Sequence, residues 1–165
     1  MKRTLTDEDQ LKETDTVKTI SLPPVVQQLL AHSGSSVSVE IGQALSGKTI
    51  AGGKYSLLHH RITLYLEGIQ EQCKVLYGSL KPFEKHLAAV FAHELGHAED
   101  KELTLLAGQF DQSIDPLEKK RIALRIETNA WVYARRLLNY EDGEFLMLLM
   151  HYSLEPYHSN RRSYD

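Results

Sequence analysis

The chain has a single cysteine in 165 residues, which excludes an internal disulfide. Cys73 alone fits a reducing compartment, where a solitary thiol serves as packing. Long apolar runs are missing as well. The longest, FLMLLM at 145–150, is far too short to cross a bilayer, and the N-terminus lacks the apolar stretch of a signal peptide. Together these absences lead us to expect a cytoplasmic protein with no membrane partner. Neither sign of charge dominates: the net value is -3, so no nucleic-acid or anionic-membrane footprint stands out. Lys119, Lys120, Arg121, Arg125, Arg135 and Arg136 can make one helix face basic, and we read that face as solvated. There is no internal repeat and no low-complexity segment.

What is present suits one domain with a real core, since 42% of the residues are hydrophobic. Residues 1–20 are charged and weakly patterned, so little apolar burial offsets the cost of ordering them. We expect a mobile tail there and a single domain over 21–160. Ser21 and the Pro23-Pro24 pair can open a short helix ending near Gly34. SVSVEI at 36–41 alternates as a half-buried strand should, and SLLHHRITLYL at 56–66 carries a second strand signal, strongest over 61–66, with Glu67-Gly68 as its exit turn. From Phe83 to about Lys101, Leu87, Val90, Phe91 and Leu95 recur at helical intervals, broadly enough for burial on more than one side. Asp115-Pro116 is an N-cap followed by proline at the first helical position, opening a long helix to about Asn139. A last helix is expected over 144–152, before a polar tail. The fold class is α+β, with a small, mainly antiparallel sheet packed on a pair of zincin-type helices.

The chemistry sits in FAHELGHAED, 91–100. On a helix, His93 and His97 lie one turn apart on one face, and both rings can reach a common ion. Zinc accepts imidazole nitrogen, and a catalytic site takes three protein ligands and leaves a position for water. Glu94 is rotated by about 100° from His93, beside the ion and not on it, where it can take the proton of a water that the metal has acidified. Two helix histidines that are simply solvated or hydrogen-bonded are the bland alternative. Against it stand the amphipathic helix around the motif and a third ligand on another helix.

In the pattern HExxHxxGxxH the third histidine would fall on Leu103 and the glycine on Asp100, so that arrangement is excluded. The other solution is a glutamate on a second helix, and RIETNAWVYARRLL at 125–138 offers Glu127, with Ala130 and Ala134 on roughly its own face. Small residues there let two helix axes approach. Its bland role would be an exposed pair with Arg121 or Arg125. Glu99, Asp100, Glu102 and Asp111 are weaker candidates. His86, seven residues before His93, either orients a ligand or sits at the edge of the core.

HELGH followed by the ExxA helix with Ala130, Ala134, Leu137 and Leu138 resembles the ImmA/IrrE zinc metallopeptidases, of the gluzincin-like group. A strand such as ITLYL ahead of the F-A-H-E-L-G-H helix fits too, and the resemblance covers roughly residues 37–140, most specifically the two helices. It implies zinc held by His93, His97 and Glu127, with Glu94 as general base. It further implies an intracellular protein or peptide substrate, in several members a transcriptional repressor, cut as an endopeptidase would. The sequence departs at Asn139-Tyr140, where the family has an apolar residue and proline, and it contains no helix-turn-helix segment. A substrate could pair with the edge of the 61–66 strand. Tyr133, His151, Tyr152, Tyr157 and His158 are available as donors to the oxyanion.

Two rival readings remain. One is a non-catalytic zinc- or peptide-binding regulator on the same scaffold. The other is a nucleotide binder, because GQALSGKT at 42–49 matches the phosphate-loop pattern GxxxxGK[ST], a match that arises by chance in roughly one chain in two hundred against roughly 3% for HExxH. Yet such a loop must open a helix after Lys48-Thr49, and Gly52-Gly53 breaks that turn. The chain also lacks the alternating strands and helices of a parallel sheet. We read the segment as a flexible loop near the active-site cleft.

Overall fold

The computed structural model describes residues 21–43, 51–139 and 143–158. The expected mobile tail, Lys48 and Thr49 of the phosphate-loop pattern, and Tyr140 lie outside the described residues. Among those described, six helices accompany a three-stranded mixed sheet, and the class is α+β. No helix there is long and apolar enough to cross a membrane.

α1 (Pro24–Ser33) starts on Pro24, whose missing N–H costs nothing at that position, and ends at left-handed Gly34. β1 (Ser38–Ile41), β2 (Gly53–Ser56) and β3 (Arg61–Leu64) form the sheet in the order β1-β3-β2. The turn at 57–60 folds β3 back antiparallel to β2, with Tyr55 opposite Ile62. β3 then lies between its neighbours and runs parallel to β1, with Val39 opposite Ile62. The sheet is thus half parallel, not mainly antiparallel as the sequence suggested, because β1 and β2 enter on opposite sides of the later strand. His60 closes the turn at φ 46. Its Nδ1 lies 2.9 Å from the Tyr55 hydroxyl, a local tie that supports the strained backbone.

Central placement also removes 61–66 as a free edge. Ile62 and Leu64 are fully buried on one face of β3, as alternation required. The strand that borders the site is β2, a segment with no strand signal in the sequence.

α2 (Leu66–Tyr77) begins where an exit turn was expected. Gly68 is helical, and a Cβ there would stand 1.9 Å from the carbonyl oxygen of Ala51. The glycine marks a close approach of two backbones, not a turn. α2 buries Cys73, and burial pushes its thiol pKa up, as suits an inert packing group.

α3 (Phe83–Ala98) is the central element. On one side Leu87, Phe91 and Leu95 join Val26, Ile62, Leu64 and Ile69. On the other, Ala89 and Ala92 meet Trp131 and Ala134 of α5 (Pro116–Leu138) and Leu146 and Leu149 of α6 (Gly143–His158). Burial on two faces is what the broad apolar pattern had implied. α5 starts as expected: the Asp115 carboxylate accepts the N–H of Leu117 at 2.9 Å, with Pro116 at the first helical position. α4 (Leu103–Gln112) fills a stretch to which the sequence reading assigned no element.

Gly68→Ala is expected to cost about 1–3 kcal/mol, since the added methyl meets a fixed carbonyl and not a movable side chain. Urea unfolding measures it, and a variant as stable as wild type would exclude this contact.

Candidate metal centre

The site is built where α3 and α5 cross. A Cβ on Gly96 would lie 2.4 Å from the carbonyl oxygen of Ala130 and 2.6 Å from its Cα, so the helices touch backbone to backbone. Ala130 and Ala134 are fully buried in that contact. One turn before Ala130, Glu127 is carried across to the histidines of α3. The Nε2–H of His93 donates to Glu127 Oε2 at 2.9 Å, and His97 Nε2 lies 3.5 Å from Oε1 of the same carboxylate. The two imidazole rings are 4.6 Å apart between centroids and nearly perpendicular.

Burial pulls the His93 pKa down, but hydrogen bonds and charge from Glu127 and Glu94 outweigh it and carry it up to about 9. Burial in turn raises that of Glu127, and His93 and His97 more than reverse this, holding the carboxyl well below its usual range. Without an ion, the site is therefore an imidazolium–carboxylate pair. The same atoms could ligate a metal ion once the protons leave.

The donor set fits a divalent cation. His93, Glu94 and His97 each present a ligand atom, all within 4.8 Å of one another. Two carboxylates compete for third place. Glu127 faces the Nε2 of both rings, whereas Glu94 Oε1 lies 3.5 Å from Nδ1 of His93 alone. Of the two, only the Glu127 carboxylate is shared by both rings. Glu94 is buried, and β2 presses on it: a Cβ on Gly53 would stand 3.0 Å from its Cγ.

The remaining candidates separate clearly. Glu102 accepts from Arg125 at 3.0 Å, which removes that arginine as a partner for Glu127. Asp100 accepts from Asn129 at 3.1 Å, Glu99 from the hydroxyl of Ser35, and Asp111 is exposed. His86 touches no ligand. Its Nδ1 is 3.0 Å from the Tyr77 hydroxyl and its Nε2 2.7 Å from Gln72 Oε1, so it belongs to the edge of the core. Among the five possible oxyanion donors, Tyr152 lines the cleft beside Glu94. Tyr157 is half-buried, and burial and then the Glu127 carboxylate push its pKa up. Tyr133 lines a different hollow with Glu99 and Arg136, while His151 and His158 are exposed.

Trp131 was not singled out from the sequence. Its ring lies 4.5 Å from that of His93, and its Nε1–H donates to Ser153 of α6 at 3.0 Å. Its place one turn after Glu127 on the same helix was the available signal. A cleft of about 390 Å³ opens here, reaching from Gly53 and Glu94 to Trp131 and α6. Comparison with protein-family models, with curated proteins and with solved structures returns no match.

Gly96→Ala forces the helices apart and is expected to weaken divalent-metal binding about tenfold or more, as displaced ligand supports do. Metal titration checks this, and unchanged affinity would refute the crossing as the positioning device. In chelator, the pair also predicts a pH profile. The raised pKa of His93 gives stability fully present below pH 6.5 and lost as pH climbs through about 9. The depressed pKa of Glu127 gives stability present above pH 4.5 and lost as pH falls towards its folded value. Melting temperatures should thus fall from pH 6.5 to 10 in wild type, and Glu127→Gln should flatten that fall.

Proposed function

We propose that this chain is a zinc-dependent metallopeptidase of the ImmA/IrrE type that cuts peptide bonds within a cytoplasmic protein. A transcriptional regulator is the substrate that the family resemblance suggests. The observation that carries the reading is one carboxylate, Glu127, reaching the Nε2 of both HExxH imidazoles. Two histidines alone are a common helix feature, whereas two histidines sharing a glutamate from another helix form a ligand set.

His93, His97 and Glu127 would hold the zinc. When bound, the ion supplies Lewis acidity, lowering the pKa of a water and polarising the substrate carbonyl. Glu94 takes a proton from the attacking water and hands it to the departing amine nitrogen. Its burial against β2 suits that role, because the strand fixes the carboxylate beside the two imidazoles. Among the described residues β2 is an edge strand, and its main-chain donors and acceptors could pair with an extended peptide and so would lay the scissile carbonyl beside Glu94. Tyr152 and Tyr157 are the hydroxyls on hand to steady the charge that develops on that carbonyl. Trp131 covers one face of His93 and limits access of water.

Metal analysis of the wild type beside His97→Ala and Glu127→Ala tests the ligands: stoichiometric zinc should be lost in both. Glu94→Gln should keep its zinc while peptide cleavage falls about a hundredfold to ten-thousandfold, the range for a removed general acid–base group. Retained cleavage in that variant would reassign the base. Zinc without cleavage in wild type would leave a binding protein on the same scaffold.

A further inference from the structure

The cleft beside His93 and Glu94 has walls specific enough to assign its occupant. Leu76 of α2, Val90 of α3, Trp131 of α5 and Leu149 of α6 supply apolar surface. At the mouth, Val75 is 71% exposed and Tyr152 51%, so the apolar lining continues outwards onto both lips.

Three polar side chains of the lining, Gln72, His86 and Ser153, already have partners. Gln72 Oε1 accepts from His86, whose other nitrogen meets Tyr77, and Ser153 Oγ accepts from Trp131. Burial pulls the His86 pKa down to about 4 and keeps the ring neutral. Among the described residues no lysine or arginine lines the cleft, and the charge of His93 is already met by Glu127, so an entering carboxylate would face Glu94 with no free countercharge. A neutral polar side chain would find few partners there for the water it surrenders, whereas an apolar one gains from the same burial. At about 390 Å³ the space is at the small end of ligand sites, which run from about 300 to 1,000 Å³. It holds one side chain with its adjoining backbone, not a folded partner.

We propose that the cleft is a specificity pocket for one bulky aliphatic or aromatic side chain of a peptide lying along the β2 edge, with Leu76, Leu149 and Trp131 setting the preference. The inference rests on the peptidase reading for treating that peptide as substrate.

Trp131 is the chain's only tryptophan and forms part of the wall, so its emission reports occupancy without turnover. The probes are acetyl-Gly-Gly-Xaa-Gly-Gly-amides with Xaa as Leu, Phe, Ala, Lys or Glu, added to the full chain with and without chelator. The Leu and Phe peptides are expected to saturate the emission change at about tenfold lower concentration than Ala. Lys and Glu peptides should not saturate. Leu76→Phe and Leu149→Phe narrow the pocket and should cost the Phe peptide more than the Leu peptide, with melting temperatures read alongside. Should either fail to fold, Val75→Ser at the exposed lip should weaken both apolar peptides. Equal responses across Xaa, a preference for Lys or Glu, or wild-type selectivity in well-folded narrowed variants overturns the pocket. Metal-dependent cleavage of a mixed peptide pool with no apolar preference at the cut sites overturns the pocket and leaves the peptidase reading intact. Apolar selectivity by emission in a chain that holds no zinc does the reverse.

Discussion

Everything in the site depends on two helices touching without side chains between them. At Gly96 the backbone of α3 lies against that of Ala130, and any larger residue at either position would separate the axes. Only at that spacing does Glu127 span the gap to both imidazoles, with its nearer oxygen 2.9 Å from His93. The glycine of HELGH thus helps to bring the candidate ligands together although it carries no donor. The small residues of α5 have the same role: Ala130 and Ala134 are fully buried because the partner helix occupies the space their side chains would have taken.

That closeness has an electrostatic consequence. Since α3 is packed on two faces, its polar residues have little water to solvate them, and a buried charge without a partner is costly. Glu127 and His93 satisfy each other, so the fold tolerates the cluster before any ion arrives. The charges of the helix pair compensate one another, and the compensating atoms are of the kind that could hold an ion. A metal would displace a proton from His93 and leave the packing as it is. The hydrophobic clusters on either side of α3 thereby fix the rings independently of the cation.

Much of this was legible in the sequence, for identifiable reasons. His93 and His97 are one turn apart on a strongly patterned helix, so their convergence followed from helical geometry alone. Glu127 could be chosen over Glu99, Asp100, Glu102 and Asp111 because alanines follow it at helical spacing, and the structure brings it to both rings. α1 and α5 had punctuation at their starts or ends, Pro24 and Gly34 or Asp115-Pro116, that acts locally. What was missed depends on contacts distant in sequence. β2 reads GKYS, with glycine where a strand would show an apolar residue, and only the presence of Glu94 on the opposing helix explains it. The parallel pairing of β1 with β3 is likewise invisible locally, because it follows from where the later hairpin inserts. α4 and α2 lacked side-chain caps at their N-termini, and Gly68 inside α2 imitated a turn.

Gly53, Gly68 and Gly96 carry the same lesson into function. Read in isolation, each suggests looseness; in the fold each is a point where one backbone meets another element directly, and two of the three border the candidate centre. At Gly53 this means that no side chain separates the strand from Glu94. A peptide paired with the β2 edge would then be held by the same strand that positions the carboxylate, and its carbonyls would share a fixed register with the proton acceptor. Were Glu94 the base of the proposed reaction, placement of the substrate and placement of the base would be one geometric matter, the condition under which proximity accelerates a proton transfer. A bulkier residue at 53 would push Glu94 and the strand apart, uncoupling the two while leaving every metal ligand in place.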